Sequence, residues 1–272
     1  MTRPGTIVFS HGNGFPAGSY RQLMAVWREA GWRVEALAQY GHDPRYPVTS
    51  NWTRLRDQLV DFVEGLRPAE PVVLVGHSLG GFLSLKAAMR RPDLVGALVL
   101  LDSPVLAGWR ARSVQVAKAT RLIRHVSPGR IAQRRRHQWP SRDEARAHFA
   151  AKAAFAAWAP GVLDDYLEAG LVPAPEGGVR LAFDRMIEAD IYDTLTHTLG
   201  THLRRHPPRC PVGFVGGTRS REVRQVGLGA TRALVRERLR WVDGTHLFPM
   251  ERPAEAGRAV LELLDAMRVA PR

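Results

Sequence analysis

Residues 71–81 read Pro-Val-Val-Leu-Val-Gly-His-Ser-Leu-Gly-Gly, and this stretch restricts the fold more than any other part of the chain. An unbroken β-branched and aliphatic run bounded by proline and glycine is the pattern of a strand buried on both faces, as in a parallel sheet. Directly after it, Gly76-His77-Ser78-Leu79-Gly80 forms a Gly-x-Ser-x-Gly turn, and Gly80–Arg90 continues with helical spacing. A strand that turns into a helix at one serine holds that serine in a strained conformation. The positions two residues to either side must then be glycine to avoid side-chain collision. Such a turn lifts the Ser78 hydroxyl above the sheet at a helix N-terminus, where peptide dipoles favour developing negative charge.

Similar apolar runs recur at Thr6–Ser10, Ala97–Asp102, Pro211–Gly216 and Leu239–Asp243, with a weaker candidate at Trp32–Leu37. Helical patterns separate them at Ser19–Ala30, Trp52–Leu66, Val223–Val235 and Pro253–Met267. The alternation predicts an α/β fold with a mostly parallel central sheet and helices on both faces, whose ligand loops lie at the strand C-terminal ends. Residues 104–208 break the rhythm. They show no convincing strand and carry alanine- and arginine-rich helical stretches, Ala145–Ala159 and Gly161–Ala169, with a loop marked by Pro173, Pro175, Gly177 and Gly178. The expected organisation is a core of residues 1–103 and 209–272 with a helical lid, 104–208, inserted between two core strands.

The 272 residues are 45% hydrophobic, enough for a substantial core, and their net charge is +13. All but three of the 39 basic residues are arginine, and eleven cations crowd into residues 110–146 against Asp143 and Glu144. This is read as a solvated arginine-rich face, with an anionic substrate or membrane surface as the alternative and no nucleic acid expected. A lone cysteine, Cys210, forms neither an internal disulfide nor a thiolate zinc cluster. No stretch nears the roughly 20 apolar residues of a membrane helix. The N-terminus carries a core-like strand where a signal peptide would place its apolar run, so a cytoplasmic location is expected. No metal constellation, phosphate loop or dinucleotide fingerprint is present, and cofactor-free chemistry is expected. The sequence leaves the oligomeric state open.

With Gly76–Gly80 between strand and helix, the chain resembles the α/β-hydrolase family over nearly its whole length. The resemblance makes Ser78 the nucleophile. It also gives a role to Ser10-His11-Gly12-Asn13-Gly14, which follows the first strand. Comparable His-Gly loops supply one backbone N–H of an oxyanion hole, here from Asn13, opposite the N–H of Leu79. Gly12 lets the backbone approach, and His11 is expected to hydrogen-bond the loop rather than carry protons. Haloalkane dehalogenases share His-Gly-Asn but use an aspartate nucleophile; serine at position 78 favours acyl transfer. Near the C-terminus, His246, Glu251 and Pro253 match a His-x-x-x-x-Glu-x-Pro pattern, which makes His246 the base.

The acid departs from the common pattern. Most relatives carry aspartate in a Gly-x-x-Asp loop, where this chain reads Gly217-Thr218-Arg219-Ser220. Two substitutes remain: Asp102, at the strand end used by some dehalogenases and lipases, and Glu222. Asp102 is preferred, with Glu222 as runner-up. Trp109, Trp139, Phe149, Phe155, Trp158 and Tyr166 are candidate pocket walls or lid core. The resemblance implies a serine hydrolase acting on a small hydrophobic carboxylic ester, thioester or lactone. C–C hydrolase, amidase and perhydrolase chemistry, or a non-catalytic binding scaffold, stand as alternatives.

Overall fold

The computed structural model describes residues 5–105, 129–196 and 198–271. In chain order β1 (Thr6–Ser10), α1 (Arg21–Glu29), β2 (Arg33–Ala36), α2 (Thr53–Gly65), β3 (Val72–His77), α3 (Leu79–Arg90) and β4 (Val95–Leu101) come first. Next are α4 (Gly129–Arg134), β5 (Gln138–Trp139), α5 (Arg142–Ala150), α6 (Ala153–Ala156), α7 (Val162–Gly170), β6 (Leu171–Pro173), β7 (Val179–Leu181), α8 (Arg185–Asp193) and α9 (Leu199–Arg205). The chain closes with β8 (Val212–Gly217), α10 (Arg221–Val226), α11 (Gly229–Val235), β9 (Leu239–Val242), α12 (Phe248–Glu251) and α13 (Pro253–Ala266). Trp109, His125, His197 and the cations from Arg110 to Arg124 lie outside the described residues.

Six strands form the central sheet in the order β2-β1-β3-β4-β8-β9, parallel throughout. β3 and β4 are buried along nearly their whole length, which is why their sequences are continuous rather than alternating. Each fully buried valine or leucine there contributes about 1.5–3 kcal/mol relative to exposure. One face is covered by α1 and α13; α1 turns Leu23, Met24 and Trp27 inward at helical spacing. The other face carries α2 and α3, with Val235 of α11 in the same apolar layer. The strand order reverses between β1 and β3, the place where loops diverge and a crevice opens beyond the strand ends.

Register then aligns the ends. Ser10 lies beside Gly76, His77 beside Leu101, Leu101 beside Val215 and Gly217 beside Val242. The loops after β1, β3, β4, β8 and β9 therefore emerge along one edge. Among the described residues, no helix is long and apolar enough to cross a membrane.

Three expectations need correction. The segment between β4 and β8 does contain strands: β5, β7 and β6 form a small antiparallel sheet. At two or three residues each, they are too short for a two-residue period to register, and the proline–glycine loop is the turn of the β6–β7 hairpin, closed by Ala174 N–H donating to Gly178 O at 3.1 Å. The helix expected over Val223–Val235 is two, α10 and α11, because Gly227 at φ 76° and ψ 167° breaks the first. Ala145–Ala159 is likewise broken into α5 and α6 near Ala151–Lys152.

Candidate active site

Ser78 sits between β3 and α3 at φ 53° and ψ −117°, a conformation that L residues rarely adopt. The flanking glycines allow it. A β-carbon on Gly76 would collide with the backbone of Gly80 and Gly81, and one on Gly80 with the carbonyl of Ser10. Gly80 is thus where the elbow and the end of β1 touch. Ser78 itself is partly exposed, unlike its buried neighbours His77 and Leu79.

The structure brings Ser78, His246 and Asp102 together. Ser78 Oγ is 3.0 Å from His246 Nε2, and His246 Nδ1 is 2.7 Å from Asp102 Oδ2. Asp102 follows β4 and is 1% exposed. Its Oδ1 accepts from Gly217 N–H at 2.8 Å, and its Oδ2 also accepts from Ser220 Oγ at 2.5 Å. Since Oδ2 is acceptor-only when ionised, Nδ1 carries the imidazole proton and Nε2 is free to accept from the serine. Glu222 is more distant: its Oε2 lies 3.8 Å from Nδ1 and its side chain is 47% exposed. Burial pulls the His246 pKa down, but the hydrogen bond and charge of Asp102, with the charge of Glu222, outweigh it and leave the pKa raised.

Glu251 holds the histidine loop. It is buried, and its carboxylate accepts from Thr245 N–H at 2.9 Å and Thr245 Oγ at 2.5 Å. This gives a physical reason for a glutamate five residues after His246.

The amides of Asn13 and Leu79 donate to no acceptor among the described residues. Gly12 N–H is instead engaged, donating to Tyr20 Oη at 3.1 Å. His11 is fully buried; its Nδ1 donates to Gly12 O at 2.8 Å and its Nε2 accepts from Tyr40 N–H at 3.2 Å. Burial lowers its pKa to about 4, so it is a neutral member of the loop.

Tyr20 and His77 were not foreseen as site residues. His77 Nε2 donates to His246 O at 2.8 Å, so its Nδ1 accepts from Tyr20 Oη, also at 2.8 Å. Gly12, Tyr20, His77 and His246 form one directed chain of hydrogen bonds, and burial keeps His77 neutral. The separation of Tyr20 from His77 in sequence hides this from any local pattern.

The aromatics of the insertion pack on one another. Trp158, Phe155, Phe149 and Tyr166 form a contiguous group, and Phe15, just past the Asn13 loop, joins it with ring centroids 6.0 Å from both Trp158 and Tyr166. Among the described residues, Asp102, Glu222 and His246 are the group whose ligand atoms, within 4.8 Å of one another, are close enough to share a metal ion. An ion there would first have to break the bond between Nδ1 and Oδ2.

Compared with known families, residues 7–259 match the one described as alpha/beta hydrolases. The chain belongs to the alpha/beta hydrolase family. This hydrolase-family chain is 37% identical over 121 residues to the probable esterase PIR7A of Oryza sativa subsp. indica, covering 43% of this chain and 46% of that protein. It is 32% identical over 132 residues to the monoglyceride lipase of Rattus norvegicus, covering 46% of this chain and 44% of that one. The matched stretches span less than half the length of these relatives. Over whole folds, the thioesterase domain from the curacin biosynthetic pathway superposes with a TM-score of 0.71 at 20% identity, covering 95% of this chain and 91% of that one. E-2-(acetamidomethylene)succinate hydrolase superposes at 0.69 and 21% identity, covering 97% and 92%. These two share the fold.

Proposed function

We propose that this alpha/beta hydrolase is a cofactor-independent serine esterase acting through an acyl-Ser78 intermediate. The observation that carries the reading is the Ser78 Oγ–His246 Nε2–Nδ1–Asp102 Oδ2 alignment at 3.0 and 2.7 Å. As Ser78 Oγ attacks the ester carbonyl, His246 Nε2 takes its proton, and Asp102 stabilises the imidazolium and holds the tautomer. The tetrahedral oxyanion is held by the N–H groups of Asn13 and Leu79, each typically worth about 3 kcal/mol in the transition state. His246 then protonates the departing alcohol. Water repeats the sequence on the acyl-enzyme, with His246 first as base and then as acid.

Substrates in this reading are small hydrophobic esters. The names of the esterase and lipase relatives support ester chemistry. Residues 104–208 act as the lid over Ser78, a role supported by Phe15 packing on Trp158 and by Ala159 N–H donating to Met250 O at 2.9 Å, beside the histidine loop. Asp102 is taken as the acid over Glu222 on distance, 2.7 against 3.8 Å. The enzyme is taken to act in the cytoplasm.

The test is hydrolysis across esters of increasing acyl length, with wild type and Ser78→Ala, alongside labelling by a fluorophosphonate. The alanine variant should lose at least about 10³-fold in turnover and all labelling while melting like wild type. Retention of a tenth of the activity would overturn the mechanism.

A further inference from the structure

Among the described residues, four of the nine buried polar side-chain atoms that lack a hydrogen-bond partner belong to three residues at the Asn13 loop: Asn13 Oδ1, Arg135 Nε and Nη2, and Glu188 Oε2. Glu188, on α8, is 7% exposed. Its carboxylate lies on the backbone of Gly14, where a β-carbon would come within 2.6 Å of Oε1. Its own carbonyl accepts from Asn13 Nδ2 at 3.0 Å. Arg135, just past α4, faces the same carboxylate. Its Nη1 donates to Oε1 at 3.3 Å, while Nη2 and Oε2 sit 2.7 Å apart without hydrogen-bond alignment. Burial pushes the Glu188 carboxyl up and the Arg135 charge opposes it. The phenols of Tyr166 and Tyr192 are within electrostatic reach of both, and Tyr192 also faces the Asn13 side chain.

Nη2 and Oε2 meet as an ion pair, which leaves Arg135 Nε and Asn13 Oδ1 unsatisfied. Leaving a buried donor or acceptor unmade costs about 1–3 kcal/mol for each group, so the cluster is built to be completed. Its chemistry selects the completing group. The Arg135–Glu188 pair is neutral overall, so a carboxylate or phosphate satisfying Arg135 would meet the Glu188 charge, and an ammonium satisfying Glu188 would meet Arg135. Arg135 Nε is an open donor and Asn13 Oδ1 an open acceptor, each on a residue that faces Glu188. A neutral group that both donates and accepts is what they fit, and a hydroxyl is the smallest such group. Asn13 and Gly14 tie the cluster to the loop assigned to the oxyanion, which puts a hydroxyl there a few bonds from the scissile carbonyl. We propose that Arg135, Glu188 and Asn13 form a subsite for a hydroxyl group of the substrate, making hydroxylated esters the preferred class. This rests on the esterase reading above.

Two matched pairs of esters test it: glycerol monobutyrate against propyl butyrate, and ethyl 3-hydroxybutyrate against ethyl butyrate. A site built to bond a hydroxyl discriminates against the analogue lacking it, so kcat/KM should favour the hydroxylated member of one pair by at least about tenfold. The pair that shows the preference says whether the hydroxyl is on the alcohol or the acyl side. Arg135→Lys keeps a cation opposite Glu188 but deletes the Nε donor, and the preference should collapse toward one. If that variant melts early, Arg135→Met combined with Glu188→Gln removes both charges together and should do the same. Equal kcat/KM within both wild-type pairs would overturn the inference and leave the esterase reading standing, with the cluster completed by ordered water. A preference untouched by either folded variant would also overturn it. If none of the four esters is hydrolysed, the esterase reading falls and the inference with it.

Discussion

Ser220 donates its hydroxyl proton to Asp102 Oδ2 at 2.5 Å, the same carboxylate oxygen that lies 2.7 Å from His246 Nδ1. Ser220 Oγ in turn accepts the Val223 N–H at 3.1 Å, capping α10. Serine here completes the acceptor shell of Asp102, with Gly217 N–H on one oxygen and His246 and Ser220 on the other. A carboxylate at position 220 would instead face Asp102 at close range.

Exchanging the two positions therefore gives asymmetric results. Asp102→Asn should lower turnover by about 10²–10⁴-fold, because the imidazole loses the partner that sets its tautomer and stabilises its cation. Ser220→Asp alone should also be impaired, since like charges share the site. Ser220→Asp in the Asp102→Asn background should recover part of the lost rate. Steady-state kinetics on one ester across the four proteins decides this, and a nearly normal Asp102→Asn enzyme would move the acid role to Glu222.

The pH profile follows from the charges around His246. In the proposed mechanism His246 must be neutral to act as base, and Asp102 and Glu222 both favour its cation against the opposing effect of burial. The rising limb of kcat/KM should be centred above pH 6.5, the ordinary histidine value. Glu222→Gln removes one anion that favours the imidazolium, so the limb should move to lower pH with less than about a tenfold change in the plateau. A limb that stays in place in this variant would show that Glu222, 47% exposed at 3.8 Å, is screened by solvent.

What was legible beforehand tracks how local its cause is. The elbow at Ser78 and the six core strands were readable because a buried parallel strand writes its burial into consecutive residues, and the Ser78 turn demands glycines at fixed offsets. Both Asp102 and Glu222 were in view as carboxylates, but only three-dimensional distance separates them. β5, β6 and β7 escaped because three residues do not make a period. Tyr20, Arg135 and Glu188 escaped for another reason. Each meets its partner across tens of residues, through packing of the loop and the insertion, and none carries a motif of its own.

The chain from Gly12 through Tyr20 and His77 to His246 yields the last prediction. Tyr20 Oη accepts one hydrogen bond and donates another, joining the loop of the assigned oxyanion donor to the loop of the assigned base. Tyr20→Phe keeps the ring, which packs on Phe9 at 4.7 Å between centroids, and removes only the hydroxyl. Two buried polar groups, Gly12 N–H and His77 Nδ1, are then left unpaired. At about 1–3 kcal/mol for each such group, thermal unfolding should occur several degrees earlier. Turnover should fall further than that loss explains at a temperature where the variant is fully folded, because Gly12 precedes the Asn13 amide and His77 holds the carbonyl of His246. The fall should appear in kcat, with KM little changed, since the chain adjoins the proposed oxyanion donor Asn13 and holds the loop of the proposed base His246. His77→Gln separates the two ends. Its amide nitrogen can still donate to His246 O, so it should retain more kcat than His77→Ala. Equal kcat for wild type and Tyr20→Phe would reduce this chain to a packing feature of the core.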